Sequence, residues 1–511
     1  MNKLLKLFVL LFVLTSSSTI LVSCDIEDGK DGINGVDGKD GVDGEDGENG
    51  EDFTPSIDMF SNKSSLDPLV KMHSDFSTVE TFSLISSTDV LSDGFRLVGA
   101  QDGAGFLKDG ENYIYVVNAE DDHAVSRIHL DKDLTPVNGE WLLNNGVADM
   151  ARQCSGTMWE KAIHGGDKDL FLSASESIHY VVKGIDPWIE TPTPTADFGL
   201  DALGQFSWEN AVPLPKDAFS GKTIIIGGDD DSSGSEGQVT MYYSENGDAD
   251  LENGKIYVLK FKQISDGSGG IIDATANTTY NEGSLDFGKT YDVEFVEIVD
   301  GASLTKDEME TACTNVNASQ FMRVEDVDYK KGSDTANGRQ VYFNVTGKGP
   351  GAGTYNDWGT VYKLVLNETN PLEAKLTQVI SGNTDTNNKD GNIAALQSPD
   401  NICVTENFIY IQEDPNSFSR GHAAQIYQTD LDGNNAKVVL ELKINSNLSP
   451  TGSSDFSGEF GALIDISDKL GVPDTFLLNL QPHYWRSDEF STTSLPHNQG
   501  GQIVLLKGLP R

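Results

Sequence analysis

Cysteine and positive charge are both scarce in this 511-residue sequence, and each shortage excludes a class of protein. The four cysteines, Cys24, Cys154, Cys313 and Cys403, are too few and too scattered for a disulfide framework. The chain has only 36 lysines and arginines against 80 aspartates and glutamates, so its formal net charge is -44. Such an acidic surface does not bind nucleic acid, because the phosphate backbone repels it, and it calls for divalent cations or plain solvation.

Helical periodicity is also rare and is convincing only over residues 305–314. Short segments rich in Ile, Val and Tyr, separated by Gly, Asn, Asp and Ser, predict strands instead. The clearest are residues 113–117, 169–173, 222–226, 255–261, 340–345, 360–365, 408–411, 425–428, 475–479 and 502–506. Many of them come in pairs, which is typical of successive strands of a propeller blade. We predict an all-β fold, a β-propeller with insertions at 265–284 and 383–392, over residues 53–511; a β-sandwich is the alternative.

The first residues are predicted to be a targeting signal. Positive charge at residues 2–6 precedes an apolar run at 7–14, and Leu21-Val-Ser-Cys24 has the lipobox pattern of bacterial lipoproteins. We therefore expect removal of residues 1–23 and a lipid anchor on the sulfur of Cys24; a simple secretory peptide is the alternative. Acidic residues 25–28 resemble the export signals of surface-exposed lipoproteins, which favours the outer membrane, with the chain surface-exposed or facing the periplasm.

Residues 24–52 form a second predicted segment, a spacer. Glycine is present at every third position from Gly29 to Gly50, which is the repeat that a collagen triple helix requires at its axis. Proline is absent from it and the acidic side chains repel one another. Two interpretations therefore stay open, a trimer formed through the Gly-x-y repeat and a flexible acidic stalk.

Residues 321–329 are the segment that suggests chemistry. Arg323 and Glu325 are two apart, so on a strand both side chains leave the same face and converge, whereas Asp326 points the other way. An arginine beside a carboxylate is an ion pair or an anion site, and an ordinary surface pair is the alternative. Polar or acidic clusters next to short strands recur at 118–122, 228–231, 398–401 and 412–416.

Four groups of residues together resemble the PhoX-type alkaline phosphatases. They are residues 251–261, Thr223-Ile-Ile-Ile-Gly-Gly-Asp-Asp-Asp231, Arg323-Val-Glu-Asp326 with residues 341–347, and Ser398-Pro-Asp-Asn401 with Glu413-Asp414. The resemblance runs in order from about residue 95 to the C-terminus. It implies a six-bladed propeller whose axial cavity holds calcium and an iron pair and hydrolyses phosphate monoesters outside the cytoplasm.

The resemblance also implies roles for single residues. Arg323 would bind the phosphate and Glu325 would ligate iron. Cys154, in Arg152-Gln-Cys-Ser-Gly156, resembles a thiolate ligand that the family carries in the context Asn-Asn-Cys-Ala-Gly, and a small buried hydrophobic residue is the alternative. The other metal ligands that the resemblance implies are Glu120, Glu176, Glu209 and Asp400. Asp229, Asp230, Glu413 and Glu459 are further candidate metal ligands, and simple turn residues are the alternative for Asp229 and Asp230. The sequence departs from the family at Ala119, Gln205 and Trp208, where His, Arg and His are expected.

Phosphate chemistry on so acidic a chain requires fixed cations, because like charges a few Å apart repel. Oxygen ligands from Asp, Glu and Asn suit Ca²⁺, and a thiolate with glutamates suits Fe³⁺. The hypothesis is a metal-dependent phosphomonoesterase. The alternatives are a non-catalytic calcium-binding propeller for surface adhesion or ligand capture and a calcium-dependent esterase or lactonase.

Overall fold

Short antiparallel strands make up most of the regular structure in the computed structural model. It describes residues 58–121, 123–144, 152–176, 181–233, 236–351, 353–382, 391–415, 418–449, 458–492, 495 and 497–511. The signal peptide, the spacer, Cys24, Asp122 and Asn416 lie outside these ranges and stay predictions. Among the described residues, no helix combines the length and apolarity needed to cross a membrane.

The described strands are numbered in chain order. They are β1 (Val70–Met72), β2 (Glu80–Ser86), β3 (Gln101–Asp109), β4 (Asn112–Ala119), β5 (Ala124–Leu130), β6 (Pro136–Leu143), β7 (Gly156–Trp159), β8 (Leu170–Ser173), β9 (Lys183–Ile185), β10 (Trp208–Pro213), β11 (Thr223–Asp229), β12 (Val239–Ser244), β13 (Lys255–Phe261), β14 (Gln263–Ser265), β15 (Ile271–Asp273), β16 (Thr290–Ile298), β17 (Val324–Tyr329), β18 (Gln340–Val345), β19 (Thr360–Leu366), β20 (Glu373–Ser381), β21 (Pro399–Val404), β22 (Phe408–Glu413), β23 (Gln425–Asp430), β24 (Lys437–Leu442), β25 (Glu459–Asp465), β26 (Thr475–Gln481) and β27 (Gln502–Lys507). All ten segments predicted as strands are confirmed.

Helices are few in the described residues: α1 (Lys161–His164), α2 (Lys306–Val316) and α3 (Ser467–Leu470). Helix α2 confirms the helical periodicity seen in the sequence. Thr305 and Glu308 form a reciprocal capping box at its start, and Asn317, with a φ of 56°, ends it.

The sheets are antiparallel meanders of strands that follow one another in the chain. One has the order β3-β4-β5-β6 and another β7-β8-β9; β21 to β24 are joined by β1, and β25 to β27 by β2. The longest sheet has the order β10-β11-β12-β13-β16-β20-β19-β18-β17. Its β16 pairs with both β13 and β20, so it links two four-stranded meanders.

Six of these strands, β3, β7, β10, β17, β21 and β25, are called the ring strands below. Each ring strand contacts the next one in this order, and β25 contacts β3, so the six strands form a closed ring. Strand β2, from the start of the described chain, pairs with β27 near its end and completes the last sheet. Each ring strand is an end strand of its sheet, and closure covers these edges with the neighbouring ring strands. The prediction of an all-β propeller is confirmed.

Candidate metal centre at the ring strands

Five of the six ring strands contain a β-bulge near their start. In β10, Trp208 and Asn210 pair with the consecutive residues Asp229 and Gly228, so β10 has one residue more than its partner strand at this point. Strands β3, β17, β21 and β25 each have one extra residue in the same way. The residues in these bulges include Asp102, Glu209, Glu325 and Asp400. A bulge bends its strand and redirects side chains, so four strands direct an acidic residue toward a common centre.

Three clusters of candidate metal ligands result. Within each, one oxygen or sulfur atom of every residue lies within 4.8 Å of the others. Cluster 1 is Asp102, Glu120 and Cys154; cluster 2 is Glu209, Asp230 and Glu325; cluster 3 is Asp400, Asp414 and Glu459. The structure therefore brings seven of the predicted site residues together and adds Asp102 and Asp414.

The clusters are adjacent to one another. The backbone N–H of Ser155, next to Cys154, donates to Oε1 of Glu209 at 3.2 Å, which joins clusters 1 and 2. Burial, and after it repulsion from neighbouring carboxylates that include Asp400 of cluster 3, raises the pKa of Glu209 and of Glu325 in cluster 2. Cys154, Glu209 and Glu325, which are far apart in the sequence, thus belong to one site.

Arg323 is held between two ligands of cluster 2. Its Nε donates to Oδ1 of Asp230 at 2.7 Å and its Nη2 lies 3.0 Å from Oε1 of Glu325. The convergence expected from the sequence is confirmed, but its cause was wrong. Arg323 precedes β17 and has a φ of 67°, a left-handed conformation that is costly for arginine. This backbone turn and the bulge, rather than strand alternation, bring the two side chains together.

Glu176 lies beside the clusters and outside all three. Its Oε2 is 3.3 Å from Sγ of Cys154 and 2.8 Å from Nε of Arg152. Arg152 Nη2 also lies 2.6 Å from Oε1 of Glu120. Sequence reasoning treated Arg152 only as a neighbour of Cys154, because nothing in the sequence places it near Glu120 and Glu176.

Burial and mutual repulsion dominate the electrostatics of the site. Burial, followed by repulsion from Asp400, raises the pKa of Asp102 and of Glu209 well above the usual carboxylate range. Burial raises the pKa of Glu176 to about 8 and that of the Cys154 thiol well above its usual value. Crowded carboxylates of this kind require compensating cations to ionise together near neutral pH.

The ligand set fits metal ions of two kinds. Cluster 3 offers only carboxylate oxygens, the ligands that Ca²⁺ prefers, whereas cluster 1 adds a thiol that can serve iron. Oδ1 of Asp102 is buried and accepts no hydrogen bond from any described residue. An unsatisfied buried carboxylate oxygen is costly unless a cation binds it.

Besides Glu176, two further predicted ligands, Asp229 and Glu413, lie outside the clusters. Oδ1 of Asp229 is 3.0 Å from Nζ of Lys306, a buried lysine that sequence reasoning missed. Glu413 accepts hydrogen bonds from the backbone N–H groups of Gln397 and Gln425, both at 3.0 Å. The oxygens of both residues are thus engaged by protein donors, which gives each a structural role here.

The pattern that could have found Asp102 is an acidic residue followed by Gly, Asn or Asp, since Asp102-Gly103, Glu209-Asn210 and Asp400-Asn401 share it.

Asparagines on the second strand of three sheets fix the ring strands. Asn118 donates to the carbonyl of Cys154 at 2.6 Å, Asn344 donates to that of Asp400 at 2.7 Å, and Asn479 donates to that of Asp102. Each bond crosses from one sheet to the next and ends at a candidate ligand. The backbone of the site is therefore positioned by the neighbouring sheet.

Gly228 permits the close approach of β11 to β17. A Cβ added there would lie 2.2 Å from the carbonyl oxygen of Glu325 and 2.6 Å from that of Val324. We expect Gly228→Ala to destabilise the protein by about 1–3 kcal/mol, because the strands must separate, and to reduce metal binding. Urea unfolding and metal titration measure the two effects. Unchanged values for both would show that β17 can shift without disturbing Glu325.

A closed ring of antiparallel sheets around a buried acidic centre defines a β-propeller with a candidate metal site. The fold is PhoX-like: over 86% of this chain and 96% of that one, it is similar to the structure of Pseudomonas fluorescens PhoX in complex with vanadate, a transition state analogue, with a TM-score of 0.56 and 12% identity. The α-L-arabinofuranosidase Arb93A of Fusarium graminearum covers 83% of this chain and 97% of its own, with a TM-score of 0.38 and 10% identity. No protein-family model matches the chain, and no curated protein matches it.

Proposed function

We propose that this chain is a metal-dependent phosphomonoesterase of the alkaline phosphatase type. The observation that carries the proposal is the position of Arg323, fixed between Asp230 and Glu325 beside two further ligand clusters. A cation-binding centre with an arginine at its edge suits a phosphate dianion in an otherwise acidic protein.

Each group of residues has a part in the proposed reaction. Arg323 donates to the non-bridging oxygens of the phosphate and orients it. The oxygen of a water molecule bonds to phosphorus and gives up a proton, the bond from phosphorus to the ester oxygen breaks, and the departing alkoxide takes up a proton to leave as the alcohol. Bound cations supply stabilisation of negative charge on the phosphoryl oxygens. The carboxylate oxygens of Glu209 and Glu325, which would bind the cations, lie beside Arg323. The phosphate can therefore contact the arginine and the cations together.

Ca²⁺ and Fe³⁺ are the proposed ions. Cys154 of cluster 1, together with Glu209 and Glu325 of the adjacent cluster 2, would hold iron, and the carboxylates of cluster 3 would hold calcium. We further propose that each ring strand begins one blade, giving six. We also propose attachment to the outer membrane through Cys24, with residues 24–52 forming either a trimer or a flexible acidic stalk.

Metal content and turnover together test the function. The purified protein is analysed for iron and calcium and assayed with p-nitrophenyl phosphate. Bound iron and calcium with hydrolysis of the ester would support a phosphomonoesterase. Calcium alone without hydrolysis would favour the calcium-binding module, and hydrolysis of a lactone but no phosphate ester would favour the lactonase.

Chelation is expected to destabilise the protein. Adding EGTA should lower the Tm by about 3 °C or more, because an ion present at 100 times its Kd contributes about 2.7 kcal/mol to stability and its loss leaves repelling carboxylates. Differential scanning calorimetry with and without EGTA measures the change.

A matched pair of variants locates the effect. Asp400→Asn, in cluster 3, should reduce the Tm difference caused by EGTA, whereas Glu413→Gln should leave it unchanged, because protein N–H groups occupy Glu413. An identical response in both variants would place the calcium elsewhere.

A further inference from the structure

Arg152 stands at the solvent side of the candidate metal centre. Its side chain is 56% exposed, compared with 23% for Arg323, and it is paired with Glu120, which is 13% exposed, and Glu176, which is 17% exposed. The two arginines therefore differ in depth. Arg323 contacts the buried ligands of cluster 2, and Arg152 lies over cluster 1.

The backbone keeps Arg152 in this place. Its φ is 48°, a left-handed conformation, and its carbonyl accepts a hydrogen bond from the N–H of Glu176 at 3.1 Å. Exposed ion pairs contribute little to stability, so two such pairs do not by themselves explain a residue held in a costly conformation. Conformations of this kind are concentrated at functional sites.

Part of the Arg152 guanidinium is available to bind a further anion. Its Nε and Nη2 contact Glu176 and Glu120, and Nη1 has no hydrogen-bond partner in the part of the chain that the structure describes. Glu120 belongs to cluster 1, and Glu176 contacts Cys154 of the same cluster. When cations bind these ligands, they compensate the carboxylates that Arg152 neutralises here, and its own charge becomes available to a second anion.

We propose that Arg152 is a second anion-binding residue and that it selects phosphate esters whose leaving group carries another anionic group, a carboxylate or a second phosphate. The inference rests on the proposed function. With the reacting phosphate on Arg323, the leaving group extends toward solvent, where Arg152 lies. Its planar guanidinium can bind either anion through two parallel hydrogen bonds.

The test uses substrates that differ only in the second anion. 2-Phosphoglycerate has a carboxylate where glycerol 2-phosphate has a hydroxymethyl group, and fructose 1,6-bisphosphate has one phosphate more than fructose 6-phosphate. We expect Arg152→Gln to raise KM for 2-phosphoglycerate by about tenfold or more, with kcat within about threefold, because binding is lost and the reacting centre is intact. KM for glycerol 2-phosphate should change by less than about threefold. Comparing fructose 1,6-bisphosphate with fructose 6-phosphate shows whether Arg152 selects a second phosphate in the same way as a carboxylate.

Arg486→Gln is the matched control. Arg486 is 38% exposed and pairs with Asp121, the neighbour of Glu120, so the change of charge is the same. It should alter KM for both glycerol derivatives equally. Compared with Arg152→Gln, Arg152→Lys should restore part of the preference for 2-phosphoglycerate over glycerol 2-phosphate. It replaces Arg152→Gln in the test if that variant does not fold.

Two results would overturn the proposal. One is an equal rise of KM for both glycerol derivatives in Arg152→Gln, and the other is the same selectivity loss in Arg486→Gln. Should the wild-type protein hydrolyse none of these esters, the proposed function fails. Calorimetric titration of the metal-loaded protein with 2-phosphoglycerate and with glycerol 2-phosphate then decides the inference alone. Tighter binding of 2-phosphoglycerate that depends on Arg152 supports it, and equal binding contradicts it.

Discussion

Arg323→Ala is expected to lower p-nitrophenyl phosphate turnover at least about a hundredfold, because it removes donors aimed at the charge that develops on the phosphoryl oxygens. Glu325→Ala should cause a loss of similar size by removing a ligand of cluster 2. Steady-state kinetics of the metal-loaded variants measures both effects, and the metal content of each variant separates them. Arg323→Ala should retain its ions, whereas Glu325→Ala should lose part of them.

Arg339→Ala is the control for Arg323. Arg339 is 14% exposed and lies 3.8 Å from Glu368, away from the three clusters, so its removal changes the charge equally without touching the site. Its turnover should stay within about threefold of wild type. Wild-type turnover in Arg323→Ala would place the phosphate elsewhere, and an equal loss in Arg339→Ala would attribute the effect to net charge.

Lys306→Met is expected to cause the largest loss of stability, about 3–5 kcal/mol, because removing one partner leaves buried charges uncompensated. Lys306 is 2% exposed, and its Nζ lies 3.0 Å from Asp229, 3.0 Å from Asp231 and 2.5 Å from Glu310. Burial alone would lower its pKa, but the carboxylates of Asp229 and Glu310 raise it above the usual lysine value. Lys306 therefore stays charged and holds helix α2 against the loop that carries Asp230.

Urea unfolding of Lys306→Met measures the loss. Methionine is close to lysine in length and has no charge, so packing changes little. Lys375→Met is the control: Lys375 is 65% exposed, pairs with Asp292 at 2.7 Å and should contribute less than about 1 kcal/mol. Adding Asp229→Asn to Lys306→Met should recover part of the loss, since one unpaired buried charge is removed. Equal stability of Lys306→Met and wild type would show that water replaces the ammonium group.

Several features of the site could be predicted from local sequence. Acidic side chains after short apolar strands indicated cation binding, and the spacing of Arg323 and Glu325 indicated an anion site. Seven of the proposed ligands lie in the three clusters for this reason. Asp229 and Glu413 have the same local pattern, yet protein donors engage them. Those donors are Lys306 on a distant helix and backbone groups that the fold brings near, and local sequence does not encode them.

The sequence by itself determined the strands, helix α2 and the acidity that demands cations, because these follow from residue period and charge counted over short windows. Only the tertiary structure decided which carboxylates share an ion. One extra residue in a ring strand shifts its alternation and redirects Asp102, Glu209, Glu325 and Asp400, and closure of the ring joins segments more than 300 residues apart. Both depend on pairing between strands, which a pattern within one strand does not carry.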